Sequence, residues 1–367
     1  MLLYLIFYVS ALLQLFFFLV VYARLIFYRK VEPNSSHSSE PVSVVICAHN
    51  ELKNLKHLLP KLVHQTYPEF EIVIVIDRSN DGSVAWLEEQ VAASNNLRMV
   101  SINYTPENYN AKKYALTQGI AAAQNDVIVL TDADCWPESD QWLHHMSQQL
   151  KGEKQIVLGY SPYLKTSGWL NGFIRYETFL TAIQYLSSAL WGSPYMGVGR
   201  NLAYRKSFFN SKNGFEGYEK VTGGDDDLFI NRYANKSNTA VAIGAGTLVW
   251  SRPKSSLKAY FKQKKRHLGA GRYYRLGDKI KLGLFSLSHI IFWSSLVSLG
   301  LVGDLNASVL AMLLLRTLSL YLVFFFSAKK LGDQINFGTL LGWDFLFASY
   351  YLITGITALT AKNIKWG

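Results

Sequence analysis

Cysteine, proline and acidic residues are all scarce in this sequence of 367 residues. Two cysteines cannot build a disulfide framework, and nine prolines with 26 glycines exclude a collagen-like or low-complexity chain. Apolar residues make up 50 % of the chain, which excludes a disordered protein because this much apolar surface can be buried. The sequence therefore predicts a folded protein, and its two cysteines suit a reducing compartment.

The apolar residues are concentrated at the two ends of the chain. Residues 1–23 carry no charge and, at about 1.5 Å per residue, can cross a hydrocarbon core of about 30 Å as one helix. Three more apolar stretches near the other end, at 284–302, 305–328 and 337–359, predict three further spans. The pattern is typical of an integral membrane protein with its polar domain between the spans.

Basic residues beside the spans predict the topology. Arg24, Arg29 and Lys30 follow the first span, and such residues collect on the cytoplasmic side of a membrane. We therefore expect the N-terminus outside and the central region in the cytoplasm, with the protein in the plasma (inner) membrane. Four spans leave Lys362 and Lys365 outside, so a last stretch that re-enters the membrane is the alternative.

Two charges, Arg316 and Asp344, interrupt the predicted spans. Charge inside hydrocarbon is costly, so it usually faces protein, water or a partner. A structural ion pair between neighbouring helices is the favoured interpretation, and contact with a lipid phosphate is the alternative.

Nearly all of the net charge of +11 lies between residues 252 and 281, where eleven basic residues stand against the single acid Asp278. A polybasic segment next to a span predicts contact with anionic lipid headgroups, worth about 1 kcal/mol per residue near the surface. The remaining chain has no basic face that could follow a phosphate backbone, so no nucleic-acid partner is predicted.

The central region alternates strand and helix patterns. β-Branched runs at 42–47, 71–76 and 127–130 each end in a polar cluster, and helical patterns follow the first two of them. Such alternation predicts an α/β domain with a mostly parallel sheet, and ligands of these sheets bind beyond the carboxyl ends of the strands. The polar clusters lie at those ends.

Seven segments of the central region resemble one family in the same order. The segments are 42–51, 77–83, Lys112 with Ala115 and Leu116, 132–134, 199–205, 223–228 and 263–266. Together they resemble the family 2 inverting glycosyltransferases over roughly residues 41–270, and the C-terminal helices fit the membrane-integrated members. The resemblance implies a GT-A fold, which is Rossmann-like with a mostly parallel sheet, and a nucleotide-sugar donor.

The resemblance also implies which residues bind the donor. Its nucleotide-sugar residues are Glu51, Asp77, Lys112, Asp132, Gln263 and Arg266, and its metal ligands are Asp132 and Asp134. A divalent cation stabilises the negative charge that grows on the diphosphate, and oxygen ligands suit Mg²⁺ or Mn²⁺. The alternatives are turn chemistry for the strand-end acids, helix capping for the Asp pair and a place in the basic surface for Arg266.

A general base is expected in the acidic run 225–227. An inverting displacement needs a carboxylate to accept the proton of the acceptor hydroxyl, and neighbouring acids raise its pKa. By register with the family motif, Asp225 is the base and Gly224 replaces a Glu. A register shifted by one residue makes Asp226 the base instead, and a solvated face or a helix cap is the non-catalytic alternative.

The acceptor side carries a departure from the family. The resemblance implies Asn201 and His267 as acceptor-binding residues, but His267 stands where polymerising members have Trp. A single sugar transfer is therefore predicted instead of processive synthesis. A helical pattern over 168–191, rich in Trp and Tyr, predicts either a helix in the membrane interface or a core helix of the domain.

These observations predict four segments, namely an N-terminal span (1–30), a cytoplasmic GT-A domain (31–250), a basic juxtamembrane segment (251–283) and C-terminal spans (284–367). The predicted enzyme transfers a sugar to a hydroxyl of a lipid-linked or glycan acceptor at the membrane and contacts membrane lipids. A processive polysaccharide synthase is one alternative. A transporter or lipid-binding protein with a regulatory α/β domain is another, although no internal repeat supports it.

Overall fold

The computed structural model describes residues 1–29 and 40–360, with side chains to residue 355, so Lys362 and Lys365 lie outside the described residues. The chain divides into two compact units. We call them the sheet unit, made of Arg29–Leu164 and Gly192–Pro253, and the helical unit, made of Met1–Tyr28, Lys165–Trp191 and the described chain from Lys254 to Thr360.

The sheet unit contains a seven-stranded sheet of order β3-β2-β1-β4-β7-β6-β8 and a two-stranded sheet of β5 and β9. Its strands are β1 (Val42–Ala48), β2 (Phe70–Asp77), β3 (Leu97–Ile102), β4 (Val127–Leu130), β5 (Cys135–Pro137), β6 (Ile156–Gly159), β7 (Leu202–Arg205), β8 (Thr239–Ala242) and β9 (Val249–Ser251). Four neighbouring pairs of the large sheet are parallel, and β7 runs antiparallel to both of its neighbours. The predicted α/β domain with a mostly parallel sheet is confirmed.

Helices cover the large sheet. They are α3 (Leu52–Val63), α4 (Ser83–Ala92), α5 (Ala111–Ala122), α6 (Trp142–Ser147), α8 (Lys206–Ser211) and α9 (Asp227–Tyr233). Four leucines of α3, spaced three or four residues apart, are buried against the β1 and β2 side chains in one core. Gly119 of α5 lies so close to Val45 and Val75 that an added Cβ would come within 2.7 Å of both.

The strand order of the large sheet reverses at β1. The chain places β2 and β3 on one side of β1 and β4 on the other, so a crevice opens beyond the carboxyl ends of β1 and β4. Ligands of open α/β sheets bind at this switch point. Residues 49–51 and 131–134 lie in the loops that follow these two strands.

The helical unit contains α1 (Leu2–Phe16), which continues through a π-helical segment, Phe17–Tyr22, into α2 (Ala23–Phe27). The other helices are α7 (Trp169–Trp191), α10 (Leu257–Gly271), α11 (Leu276–Leu301), α12 (Ala307–Leu331) and α13 (Leu340–Thr360). Among the described residues, three helices are long and apolar enough to cross a membrane, namely Leu2–Phe27, Leu276–Leu301 and Ala307–Leu331. Helix α13 covers the fourth predicted stretch, and whether it crosses stays a prediction.

Two features of the helical unit differ from the sequence prediction. Helix α11 begins at Leu276, eight residues before the predicted span, because Asp278 in its first turn accepts bonds from Arg275 and Lys281. Helix α7 groups with the apolar helices, although the sequence assigned it to the central domain. Its polar atoms explain this, since Ser187 Oγ donates to the Tyr22 carbonyl and the Tyr176 hydroxyl donates to Asp344.

Arg316 and Asp344 form a buried ion pair, so the favoured structural interpretation of these charges is confirmed. Arg316 Nη2 lies 3.2 Å from Asp344 Oδ1, and its Nη1 contacts Oδ2. Trp293 Nε1 donates to Oδ2 at 3.0 Å. Each oxygen of Asp344 therefore accepts at least two donors, which offsets the desolvation of both charges.

Candidate active site

The loops after β1 and β2 hold each other through local polar bonds. Asn50 adopts a left-handed φ of 56°, and its Oδ1 accepts the backbone N–H of Asn80. Asp81 accepts the N–H of Leu52, the first residue of α3, and the N–H of Ser83, the first residue of α4. The Asp81 carboxylate thus satisfies the first backbone N–H of two helices, which is the turn and helix-end chemistry typical of Asp.

Glu51 and Asp77, the predicted nucleoside contacts, lie at the ends of the same loops. Glu51 is half-buried just before α3 and accepts a bond from the Asn54 amide. Asp77 is buried, and Arg78 binds both of its carboxylate oxygens, at 2.7 and 2.9 Å. The sequence gives no sign of this pairing, because adjacent residues rarely face each other. The donor-binding roles of both acids stay predictions.

Lys112 joins two acidic loops at the switch point. Its Nζ lies 3.0 Å from Asp132 Oδ1, after β4, and 2.9 Å from Asp225 Oδ2, just before α9. Three residues separated by up to 113 positions in sequence thus meet in one small cleft, which Asp226 also lines. The side chain of Lys112 keeps 23 % of its surface exposed, so it can still reach a ligand in the cleft.

Asp225 and Asp226 are adjacent acids with opposite electrostatic environments. Burial opposes ionisation of Asp225, but the charge and hydrogen bond of Lys112 outweigh burial and lower the pKa of Asp225. Burial, reinforced by the negative charge of Asp225, raises the pKa of Asp226 to about 6. Asp226 accepts the Gly199 N–H at 2.6 Å and the Asp227 N–H at 2.7 Å, so it also caps α9.

The backbone conformation of Gly224 explains why this position, a Glu in the family motif that the chain resembles, is a glycine here. Its φ is +77°, a conformation that L side chains rarely adopt, and an added Cβ would lie 2.4 Å from Leu228 Cδ1. A Glu at this position would therefore require another loop conformation. The acidic run begins at Asp225 because the preceding residue has no room for a side chain.

Lys113 is a residue of the site that the sequence analysis missed. It is fully buried, and its Nζ donates to the carbonyls of Val221 and Gly223, with the ring of Tyr218 5.3 Å away. Burial lowers the pKa of Lys113 to about 8. Two consecutive lysines at the start of α5 thus hold the acidic loop, one through its carboxylate and one through its backbone. The only sign of this role in the sequence is that a second lysine directly follows Lys112 of the predicted motif.

The donor set near Asp134 fits a hard divalent cation. Oxygens of Asp132 and Asp134 and the Sγ of Cys135 lie within 4.8 Å of one another. Burial raises the pKa of the Cys135 thiol well above its usual value, and the thiol lies 3.3 Å from an oxygen of Asp134. Mg²⁺ and Mn²⁺ prefer oxygen ligands to sulfur, so the two carboxylates are the groups that could hold either ion.

Asn201, a predicted acceptor contact, lies in the core. It is fully buried, its amide nitrogen donates to the carbonyls of Tyr160 and Thr247, and its oxygen accepts from Trp142 Nε1. Both amide hydrogens are therefore used inside the protein. The geometry corrects the prediction, because Asn201 fixes the loop before β7 and offers no exposed group to an acceptor.

Gln263, Arg266 and His267, the remaining predicted site residues, lie on α10 in the helical unit. The same helix carries Lys264, which forms an ion pair with Glu177 of α7. The pyrophosphate and acceptor roles of the three residues stay predictions.

Comparison with known proteins agrees with this geometry. Residues 43–211 match the family described as Glycosyl transferase family 2. The probable glycosyltransferase YdaM of Bacillus subtilis (strain 168) is 26 % identical over 258 residues, which are 68 % of this chain and 60 % of that protein. The 4,4'-diaponeurosporenoate glycosyltransferase of Staphylococcus aureus (strain USA300) is 28 % identical over 153 residues, 41 % of this chain and 38 % of that one. This chain therefore spans less than two thirds of either relative.

A solved structure resembles the chain over nearly its full length. It is the mannosyltransferase PcManGT from Pyrobaculum calidifontis, in complex with GDP-Man and Mn²⁺, with a TM-score of 0.65, 16 % identity and coverage of 98 % of this chain and 99 % of that one. At this identity the likeness concerns the fold, and it confirms the predicted GT-A-like domain with accompanying membrane-type helices. The family match over residues 43–211 therefore indicates a glycosyltransferase domain of the family 2 type within this chain.

Proposed function

We propose that this chain transfers a sugar from a nucleoside-diphosphate sugar to a hydroxyl of a membrane-associated, lipid-linked acceptor, with inversion at the anomeric carbon. The observation that carries the proposal is the meeting of Asp132, Lys112 and Asp225 at the switch point of the sheet. A capping or surface role would not require a lysine shared by two acids from distant loops.

On the donor side, Asp132 and Asp134 would hold Mg²⁺ or Mn²⁺. When bound, the cation would stabilise negative charge on the leaving diphosphate. Lys112 adds a positive charge to the same cleft, and Glu51 and Asp77 lie at the strand ends where the nucleoside would bind. The family resemblance implies diphosphate contacts for Gln263 and Arg266 of α10 as well.

On the acceptor side, Asp225 would accept the proton of the attacking hydroxyl. In the free protein Lys112 lowers the pKa of Asp225, which makes this carboxylate a weak base. A bound diphosphate would compete for Lys112 and so raise the pKa of Asp225 when the donor is in place. Asp226, whose two oxygens accept backbone N–H groups, would keep a structural role.

A membrane location is supported by three apolar helices whose outer faces expose large side chains. Leu287, Leu314 and Leu322 are 57, 69 and 43 % exposed, although a soluble protein would bury such residues. We propose an integral protein of the plasma (inner) membrane with the sheet unit in the cytoplasm, where nucleotide sugars are made. The name of the Staphylococcus relative, which specifies 4,4'-diaponeurosporenoate, supports a lipid acceptor.

The deciding experiment offers purified protein in detergent a panel of nucleotide sugars together with membrane lipid extract. We expect release of nucleoside diphosphate from one donor, only with Mg²⁺ or Mn²⁺, and none in excess chelator. Asp134→Asn should abolish this metal-dependent release, whereas Asp140→Asn, at an acid outside the cleft, should leave the release and its metal dependence unchanged. Turnover of Asp134→Asn at the wild-type rate would contradict the metal assignment.

Product length separates single transfer from polymer synthesis. His267 in place of Trp supports a single transfer, so radiolabelled donor should yield one discrete species that partitions into organic solvent. A ladder or a high-mass polymer would instead identify a processive synthase.

A further inference from the structure

The helical unit contains a cavity of about 320 Å³ that the proposed chemistry does not use. Its wall comes from the start of α7, from the segment that links α12 to α13 and from the first turn of α13, and it includes Trp169, Arg175, Asn336 and Trp343. Every residue of the wall belongs to the helical unit. The volume falls in the range of small-molecule sites, roughly 300–1,000 Å³.

The cavity has a framework that is fixed by hydrogen bonds. Arg175 Nη2 donates to Asp333 Oδ1 at 2.8 Å and to the Gln334 carbonyl at 2.6 Å, which fastens α7 to the α12–α13 segment. Asn171 Oδ1, on the same helix as Arg175, accepts the Thr166 N–H at 2.9 Å and so holds the chain just before α7. The space is therefore preformed and does not depend on closure of a mobile loop.

The wall is mostly apolar, and two indole rings dominate it. Trp343 can lie against α7 because residue 172 is Gly, where an added Cβ would come within 3.0 Å of the ring. Trp169, at the start of α7, is 59 % exposed. Indoles at the edge of an apolar space are typical of the depth in a membrane where chains meet headgroups.

The charge of the wall is positive by one unit. Arg175 is neutralised by Asp333, and Glu177, two residues further along α7, is neutralised by Lys264. Lys165 lines the cavity and forms no ion pair within the described part of the chain. An apolar space beside one free positive charge complements an apolar chain that carries one negative head.

We propose that this cavity binds an amphipathic lipid with an anionic head, the chain against Trp169 and Trp343 and the head beside Lys165. The cavity belongs to the unit that contains the three candidate spans, so such a lipid would enter it from the bilayer. The inference deepens the proposed function and rests on it for one point, that the bound lipid is the acceptor. The same anionic chemistry could also come from a bulk phospholipid.

Photolabelling tests the site directly on the full chain in nanodiscs of neutral phosphatidylcholine. The probes are a diazirine fatty acid, which is anionic, and the matching diazirine fatty alcohol, which is neutral. We expect saturable labelling by the acid of peptides from 165–176 and 334–343, and Lys165→Gln should weaken it about fivefold, the worth of one cation near a lipid headgroup. Labelling by the alcohol should not respond to Lys165→Gln.

A blocked cavity provides the second variant. Thr339 is an exposed wall residue, so Thr339→Trp should fill the space and abolish saturable labelling without changing the melting temperature by more than a few degrees. Leu346→Trp, on an exposed apolar position of α13 outside the wall, is the matched control and should be labelled like the wild type. Non-saturable labelling, or equal labelling of Thr339→Trp and Leu346→Trp, would overturn the site.

Competition then identifies the source of the lipid. If the lipid is the acceptor, Thr339→Trp loses transfer to lipid but still hydrolyses the donor slowly with water, and acceptor extract competes with the probe. If phosphatidylglycerol competes and Thr339→Trp transfers normally, the site exists but its lipid is structural. Absence of donor turnover in every variant would reject the proposed function and leave the labelling result intact.

Discussion

The protein buries two clusters of opposite charges, and the two differ in how fully their oxygens are used. In the helical unit, Asp344 accepts donors from Arg316, Trp293 and Tyr176. In the sheet unit, Lys112 is shared between Asp132 and Asp225, and it keeps part of its surface open to the cleft. The first cluster has little capacity for another ligand, whereas Lys112 of the second cluster can still bind one.

This difference separates a structural ion pair from a candidate catalytic one. A closed network stabilises helices that have no water to satisfy their charges, and breaking it leaves a buried charge alone. An open network sacrifices some stability, because like charges such as Asp225 and Asp226 are held side by side. We therefore expect mutations in the sheet-unit cluster to affect activity most and mutations in the helical-unit cluster to affect stability most.

The largest expected effect is on activity. Asp225→Asn should reduce sugar transfer by about 10²–10⁴-fold, because loss of a general base has this cost, while nucleotide affinity changes little. Initial rates of nucleoside-diphosphate release and a nucleotide-binding titration measure the two quantities. Asp226→Asn is the matched control, and if it is the inactive variant while Asp225→Asn is active, the register of the base is wrong by one residue.

The next effect is on stability. Arg316→Met should lower the free energy of unfolding by about 3–5 kcal/mol, because it leaves Asp344 buried and unpaired. The double variant Arg316→Met/Asp344→Leu should recover most of the loss, since no charge remains. Thermal unfolding in detergent measures both, with Lys112→Met as the comparison from the open cluster. If Lys112→Met lowered the free energy of unfolding as much as Arg316→Met does, the distinction between the two clusters would be contradicted.

A smaller effect on activity is expected at Lys113. Lys113→Met removes two charged hydrogen bonds to the loop before Asp225, each worth about 1.5–3 kcal/mol, and we expect kcat to fall about 10–100-fold with little change in the donor KM. Lys113→Arg should retain part of the rate because it keeps the charge. Equal losses in both variants together with a lower melting temperature would indicate a purely structural residue.

The smallest effect is a dependence of stability on pH. The pKa of Asp226 is raised in the folded protein to about 6, above its unfolded value of 3.8, so its ionisation disfavours the fold. The free energy of unfolding, relative to that of Asp226→Asn, should therefore fall by about 1–3 kcal/mol as pH rises from about 4 to about 6. Denaturant titrations of both proteins at several pH values test this, and parallel pH profiles would exclude the raised pKa.

Much of the fold could be predicted because its signals are local. The run 42–47 forms β1, Val42–Ala48, and the helical pattern predicted after it forms α3, Leu52–Val63. The placement of one helix could not be predicted in this way. Helix α7 has a helical pattern in the middle of the α/β region, but only its distant partners Tyr22 and Asp344 assign it to the helical unit. Periodicity predicts that a segment is a helix, but it does not predict which unit the helix packs in.

The site was predictable where motif and geometry coincide. Lys112, Asp132, Asp225 and Asp226 were named from motifs, and the structure brings them into one cleft. The buried position of Asn201 could not be predicted from the sequence. An asparagine can bind an acceptor or form hydrogen bonds inside the core, and the surrounding side chains decide which. No motif predicted the role of Lys113, because its ammonium group binds backbone carbonyls, and the sequence does not show which carbonyls lie nearby.

One polar residue of α1 has a consequence for the order in which the protein is made. The amide nitrogen of Gln14 donates to the Phe285 carbonyl, 271 residues later in the chain, and to Ser288 Oγ, and its oxygen accepts from Arg316. Ribosomes add about 5–20 residues per second, so α1 precedes these partners by roughly 15–55 seconds. Throughout that interval the Gln14 amide lacks the partners it has in the folded protein, and these contacts form only when α11 and α12 arrive. Membrane assembly of this chain is therefore complete only after its C-terminal third has been synthesised.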